Sequence, residues 1–132
     1  MNKNGLSHLT RRTEQDILVL TITDKHLRDE KPCAELRGEL LASLAETGAK
    51  KVVVDLGQVE VVSSVAFRPL LSLRRAVEDA GARMVLCNLS EMVAEVFHVT
   101  RLLISGKSSV APFEAKPDVA SAIAFLNDAA RG

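Results

Sequence analysis

Lys51-Val52-Val53-Val54-Asp55-Leu56-Gly57-Gln58-Val59-Glu60-Val61-Val62-Ser63-Ser64-Val65-Ala66 is the stretch on which the fold turns. Its first six residues form a short apolar run rich in β-branched side chains, the pattern of a strand covered on both faces inside a parallel sheet. Ser63-Ser64 then stands directly before a helical pattern, where a helix start exposes unpaired backbone N–H groups. A hydroxyl in that position is a helix cap or a phosphorylation site whose charge the helix end tolerates.

Downstream, Ala66, Leu70, Leu73, Val77 and Ala80 recur in steps of three and four and make one apolar helix face ending at Gly81. Arg74, Arg75, Glu78 and Asp79 lie off that stripe and are expected in solvent. Pro69 conflicts with a helix begun at Ser64, because its ring would meet the Val65 carbonyl. Either the regular helix starts nearer Ala66 or its first turn is kinked, and both leave Ser63 and Ser64 on an exposed shoulder. Met84-Val85-Leu86-Cys87 is the next strand, and Ser90 caps a helix from Glu91 to about Thr100. On that helix Val93, Val96, Phe97 and Thr100 face the sheet, leaving Met92 and Val99 as a candidate contact surface.

Upstream, Leu9–Glu14 reads as a polar edge strand and Ile17–Ile22 as a stronger one. A charged connector leads to Pro32, suited to the first turn of a helix whose stripe is Cys33, Leu36, Leu40 and Leu44 and whose end is Gly48. At the far end, Val110-Ala111-Pro112-Phe113 reads as a last edge strand. A final helix from Pro117 carries Val119, Ile123 and Leu126. The expected architecture is a single α/β domain over residues 9–127, with short tails at 1–8 and 128–132. A mixed, mostly parallel sheet of four to five strands carries about four helices.

The chain's 132 residues suffice for one core. Seventeen acidic and seventeen basic residues cancel and leave no net field to hold a polyanion, and the absence of Trp and Tyr, with only four Phe, removes most of the base-stacking surface. Nucleic acid is not an expected partner. Ile17–Ile22, the longest apolar run, cannot span a bilayer, and Met1–Gly5 lacks a signal-peptide core. The expected location is the cytoplasm, with no membrane partner. Cys33 and Cys87 lack ligand-spaced neighbours and read as buried free thiols. His8, His26 and His98 sit on different elements, so no metal or cofactor is expected. Gly106-Lys107-Ser108 is not a phosphate-binding loop, since Arg101 stands where that loop requires glycine. Ser63 and Ser64 have Val61, Val62, Val65 and Ala66 around them rather than the glycines of a nucleophile elbow. No active site is composed, and the chain is not expected to be an enzyme.

The element order, together with the Val53–Ala66 run and the return through Gly81 and Arg83–Leu89, resembles the STAS family of anti-sigma-factor antagonists. In that family an apolar strand ends in Asp-Leu, and Asp-Ser-Ser-Gly opens a helix. Its first serine is phosphorylated by a partner kinase that doubles as the anti-sigma factor. The resemblance puts the strand's acidic end on Asp55 and the phosphoacceptor on Ser64, with Ser63 as the alternative. Ser63 stands in place of the family's acidic residue, Val65 in place of its second serine, and Ala66 in place of its glycine. It implies a non-enzymatic module that binds an anti-sigma serine kinase, and the expected partner-binding residues are Asp55, Ser63, Ser64, Val65 and Arg68 at the shoulder, with Met92 and Val99 added from the helix pattern. A phosphoserine phosphatase and self-association stay open. Two alternatives also stay open: a scaffold subunit of a stressosome-like assembly without a switch, and a small-ligand-binding module.

Overall fold

The computed structural model describes residues 6–99 and 113–131. Its central sheet has the order β1-β2-β4-β6-β7, built from β1 (Leu9–Glu14), β2 (Ile17–Ile22), β4 (Lys51–Asp55), β6 (Arg83–Cys87) and β7 (Ala115–Lys116). Only β1 runs antiparallel, and it is joined to β2 by the two-residue turn Gln15-Asp16. Both turn residues have positive φ (52° and 65°), the backbone hand that matches strand twist. A separate two-stranded ribbon pairs β3 (His26–Leu27) with β5 (Val61–Val62) in parallel. The helices are α1 (Glu30–Thr47), α2 (Phe67–Asp79), α3 (Glu91–Val99) and α4 (Val119–Arg131).

Strand alternation divides the core in two. Leu18, Leu20, Val52, Val54 and Leu86 face one side, where they pack with Leu36 and Leu40 of α1, Leu70, Leu73 and Val77 of α2, and Val93 and Phe97 of α3. Ile17, Val19, Val53, Val85 and Cys87 face the other side and meet Ala122, Ile123 and Leu126 of α4. Successive side chains of a strand point to opposite faces, so a sheet covered on both sides requires an unbroken apolar run. Val52, Val53 and Val54 are all fully buried, as the opening run demanded.

Helix α1 ends as expected: Gly48 takes the left-handed conformation (φ 62°) and its N–H donates to the Leu44 carbonyl at 2.9 Å. At the C-terminal end one expectation is untested and one needs revision. The edge strand expected at Val110–Phe113 lies mostly outside the described residues, and the described edge strand is Ala115–Lys116, whose neighbour Glu114 accepts the Leu86 N–H at 2.9 Å. Helix α4 also continues to Arg131 instead of stopping before a polar tail, in keeping with the strong helix propensity of alanine at Ala129 and Ala130. No helix among the described residues is long and apolar enough to cross a membrane.

Candidate functional site: the Ser63–Ser64 shoulder

Strand β4 delivers the chain to the C-terminal edge of the sheet, and Asp55 organises the turn that follows. Its Oδ1 accepts the Gly57 N–H at 2.9 Å and the Asn88 side-chain N–H at 3.0 Å, and Thr21 Oγ1 donates to Oδ2 at 3.5 Å. Asn88 reaches it from the end of β6 in a left-handed conformation (φ 58°) that asparagine tolerates. Gly57 keeps this turn uncrowded: a Cβ there would lie 3.1 Å from Asp55 Oδ1 and 3.3 Å from Asn88 Cβ, close enough that these neighbours would have to shift by a few tenths of an ångström. Asp55, expected among the partner-facing residues, thus directs its carboxylate into the base of the site.

From this turn, Leu56 and Val59 bury themselves in the core and the chain enters the ribbon. The Lys25 carbonyl accepts the N–H groups of Glu60 and Val61 at 2.8 and 3.1 Å, and the Leu27 carbonyl accepts that of Ser63 at 3.0 Å. The segment from Lys25 to Arg28 therefore cradles the shoulder. Ser63 is extended (φ −122°, ψ 178°), makes no side-chain cap bond, and instead directs its hydroxyl toward the Arg28 carbonyl at 3.4 Å.

A single 3-10 turn, Ser64–Ala66, precedes α2, closed by the Ala66 N–H on the Ser63 carbonyl at 3.0 Å. This turn resolves the conflict at Pro69. With α2 starting at Phe67, Pro69 is its third residue, where an intrahelical N–H is not needed. Ser64 is exposed, with no side-chain hydrogen bond to a described residue, whereas Ala66 and Phe67 are buried beneath it.

Around the shoulder, Arg68 is exposed one turn further along α2, and Val65 is half-buried beside it. Val65, Arg68 and Pro69 line a shallow groove against Glu30, Cys33 and Arg37 of α1, and Arg37 Nε donates to Ser72 Oγ across the two helices at 2.8 Å. Helix α3 is fixed next to the shoulder by aromatic contact: Phe97 packs edge-on against Phe67, ring centres 5.1 Å apart, and against Phe113 at 6.0 Å. Its start is capped as expected, Ser90 Oγ accepting the Val93 N–H at 3.2 Å. Val93 and Phe97 are buried, while Met92 and Val99 are 63% and 71% exposed. Leu71 on α2, at 38%, is a third exposed apolar residue. The sequence reading passed over it, although its place beside the Leu70–Leu73 stripe was a readable signal.

Both cysteines are buried free thiols. Burial, with the Asp55 charge adding to it, pushes the Cys87 thiol up to about 12, and burial also raises Cys33, so neither is a nucleophile near neutral pH. Among the described residues no group of three or more His, Cys, Asp and Glu is placed to hold a metal ion.

A family profile of the STAS domain matches residues 8–116, from β1 through β7. This chain belongs to the STAS domain family. A Bordetella bronchiseptica protein described as an anti-sigma factor antagonist, BtrV, is 33% identical over 69 residues, which are 52% of this chain and 59% of BtrV. The chain thus spans less than two thirds of that relative's length. An anti-sigma-factor antagonist (STAS) domain protein from Planctomyces limnophilus superposes with a TM-score of 0.77 at 20% identity, over 92% of this chain and 99% of its own. RsbS from Moorella thermoacetica superposes at 0.74 with 20% identity, over 96% and 100%. At such identities the two structures establish the STAS fold alone.

Proposed function

We propose that this STAS domain is a non-enzymatic signalling module whose Ser64 shoulder binds an anti-sigma-type serine kinase and is released when that serine is phosphorylated. The observation that carries the reading is the exposed hydroxyl of Ser64 at a helix start, beside the groove that Val65, Arg68 and Pro69 line. Phosphate would add about −1.5 to −2 charges there. The fold tolerates that charge, because an anion near a helix N-terminus is stabilised by about 0.3–1 kcal/mol. A partner packed dry on the shoulder does not, because it would have to desolvate the phosphate. A mismatch of about 3 kcal/mol weakens a micromolar complex roughly 100-fold.

The test is in vitro phosphorylation by the cognate kinase of the wild type, Ser63→Ala and Ser64→Ala, with mass-spectrometric site mapping. Labelling lost only in Ser64→Ala supports the reading. Loss only in Ser63→Ala moves the acceptor by one residue, and unchanged labelling in both removes the switch from the shoulder. The exposed Met92 and Val99 also favour a second reading, a scaffold subunit that packs against like domains. A stable high-mass assembly containing unmodified protein selects it.

A further inference from the structure

Helix α1 and the loop after β2 grip the N-terminal end of the domain through one imidazole. Glu39 on α1 accepts the backbone N–H groups of Ser7 and His8, each at 2.9 Å. The His8 ring lies between two further carboxylates. Its Nδ1 is 3.0 and 2.9 Å from the two oxygens of Asp24, and its Nε2 is 3.0 Å from Glu35 Oε1. A neutral imidazole has one N–H and one lone pair, so either tautomer would turn a lone pair onto a carboxylate. Only the imidazolium donates at both nitrogens. The His8 and Asp24 side chains are only 12% and 17% exposed, which partly shields their charge-assisted bond from the screening that weakens a surface pair, whereas Glu35 meets the ring from the solvent side.

The same contacts lead to the shoulder. The Thr23 N–H donates to the His8 carbonyl at 2.9 Å, and Asp24 is followed at once by the Lys25–Arg28 cradle that holds Glu60, Val61 and Ser63. Leu6 and Leu9 bury the flanks of the gripped segment.

We propose that His8 is a proton-operated latch: its imidazolium ties residues 6–9 to helix α1 and to the cradle of the Ser63–Ser64 shoulder, and loss of the proton loosens both. The latch is a property of the isolated chain. Only its consequence for partner binding rests on the function proposed above.

The titratable groups facing the ring are Asp24 from the loop after β2, and Glu35 and Glu39 from α1. No Lys or Arg among the described residues forms an ion pair with any of the three. Burial by itself lowers the proton affinity of the ring. The bonds to Asp24 and Glu35 and the charges of Asp24 and Glu39 together outweigh it, so His8 titrates above its ordinary 6.5. With the folded value raised, the latch is complete below the unfolded value and is lost as pH rises through the folded one, which places the window above 6.5.

The experiment is a pH titration of the purified protein followed by ¹⁵N NMR of the histidine rings and backbone amides, with Glu35→Gln, Asp24→Asn and His8→Gln alongside. Glu35 is on the exposed rim, so its substitution leaves the fold intact. A doubly protonated His8 ring at about pH 6, a midpoint moved to lower pH in Glu35→Gln and Asp24→Asn, and Ser7, His8 and Ser63 amide shifts that follow the ring midpoint and vanish in His8→Gln would support the latch. A neutral ring at that pH, or a midpoint unmoved by both substitutions, overturns it. A Ser63 amide that ignores the ring midpoint overturns the coupling to the shoulder. No partner or phosphate is involved, so failure here is distinct from failure of the phosphorylation test.

Discussion

Replacing Phe97 with alanine tests how helix α3 is held beside the shoulder. Phe97 is fully buried and makes edge-on contacts with Phe67 at 5.1 Å and Phe113 at 6.0 Å. Truncation of a buried Phe costs about 3–5 kcal/mol. Two aromatic pairs at about 0.5–1.5 kcal/mol each account for a substantial part of that loss. Set against a domain stability of about 5–15 kcal/mol, a loss of about 4 kcal/mol leaves a folded but markedly weakened protein. Phe97→Leu keeps most of the volume and loses the ring contacts, so it should cost about 1.5 kcal/mol. Urea unfolding at 25 °C should be followed by far-UV circular dichroism, because the chain has no Trp or Tyr to report by fluorescence. A loss below about 1 kcal/mol in Phe97→Ala, the range of surface substitutions, or equal losses in both variants, would refute the reasoning.

Val53→Asp places an unpaired charge at a fully buried position of the central strand and should abolish folding. A cooperative urea transition at the wild-type midpoint would contradict the two-sided sheet. Ser90→Ala removes the acceptor of the Val93 N–H and should cost about 1 kcal/mol, with Ser90→Asp restoring most of it in the same denaturation assay. The raised His8 value predicts a thermal midpoint that falls as pH rises from 6.5 through the folded value. That slope should be absent in His8→Gln, as differential scanning calorimetry across the range would show.

The regular elements were legible because their signals are local. The apolar run at Lys51–Asp55, the α1 stripe of Cys33, Leu36, Leu40 and Leu44, the caps at Gly48 and Ser90, and the strand at Arg83–Cys87 each follow from a period or a capping preference confined to one segment. The Ser63–Ser64 shoulder was legible for the same reason, since Pro69 restricts where α2 can begin. The ribbon of His26–Leu27 with Val61–Val62 was not, because two residues are too few to show a period. Nor could periodicity turn Asp55 inward: that orientation depends on Asn88, 33 residues away, and on the Gly57 N–H that Oδ1 accepts. The three histidines looked scattered in sequence, yet chain reversal brings His8 to Asp24, 16 residues on, to Glu35, 27 residues on, and to Glu39, 31 residues on. Local patterning fixes which face of each element is apolar, and it therefore determined the layers of this protein. Which charged groups meet where those layers close depends on contacts between distant segments, and only the tertiary structure decided that.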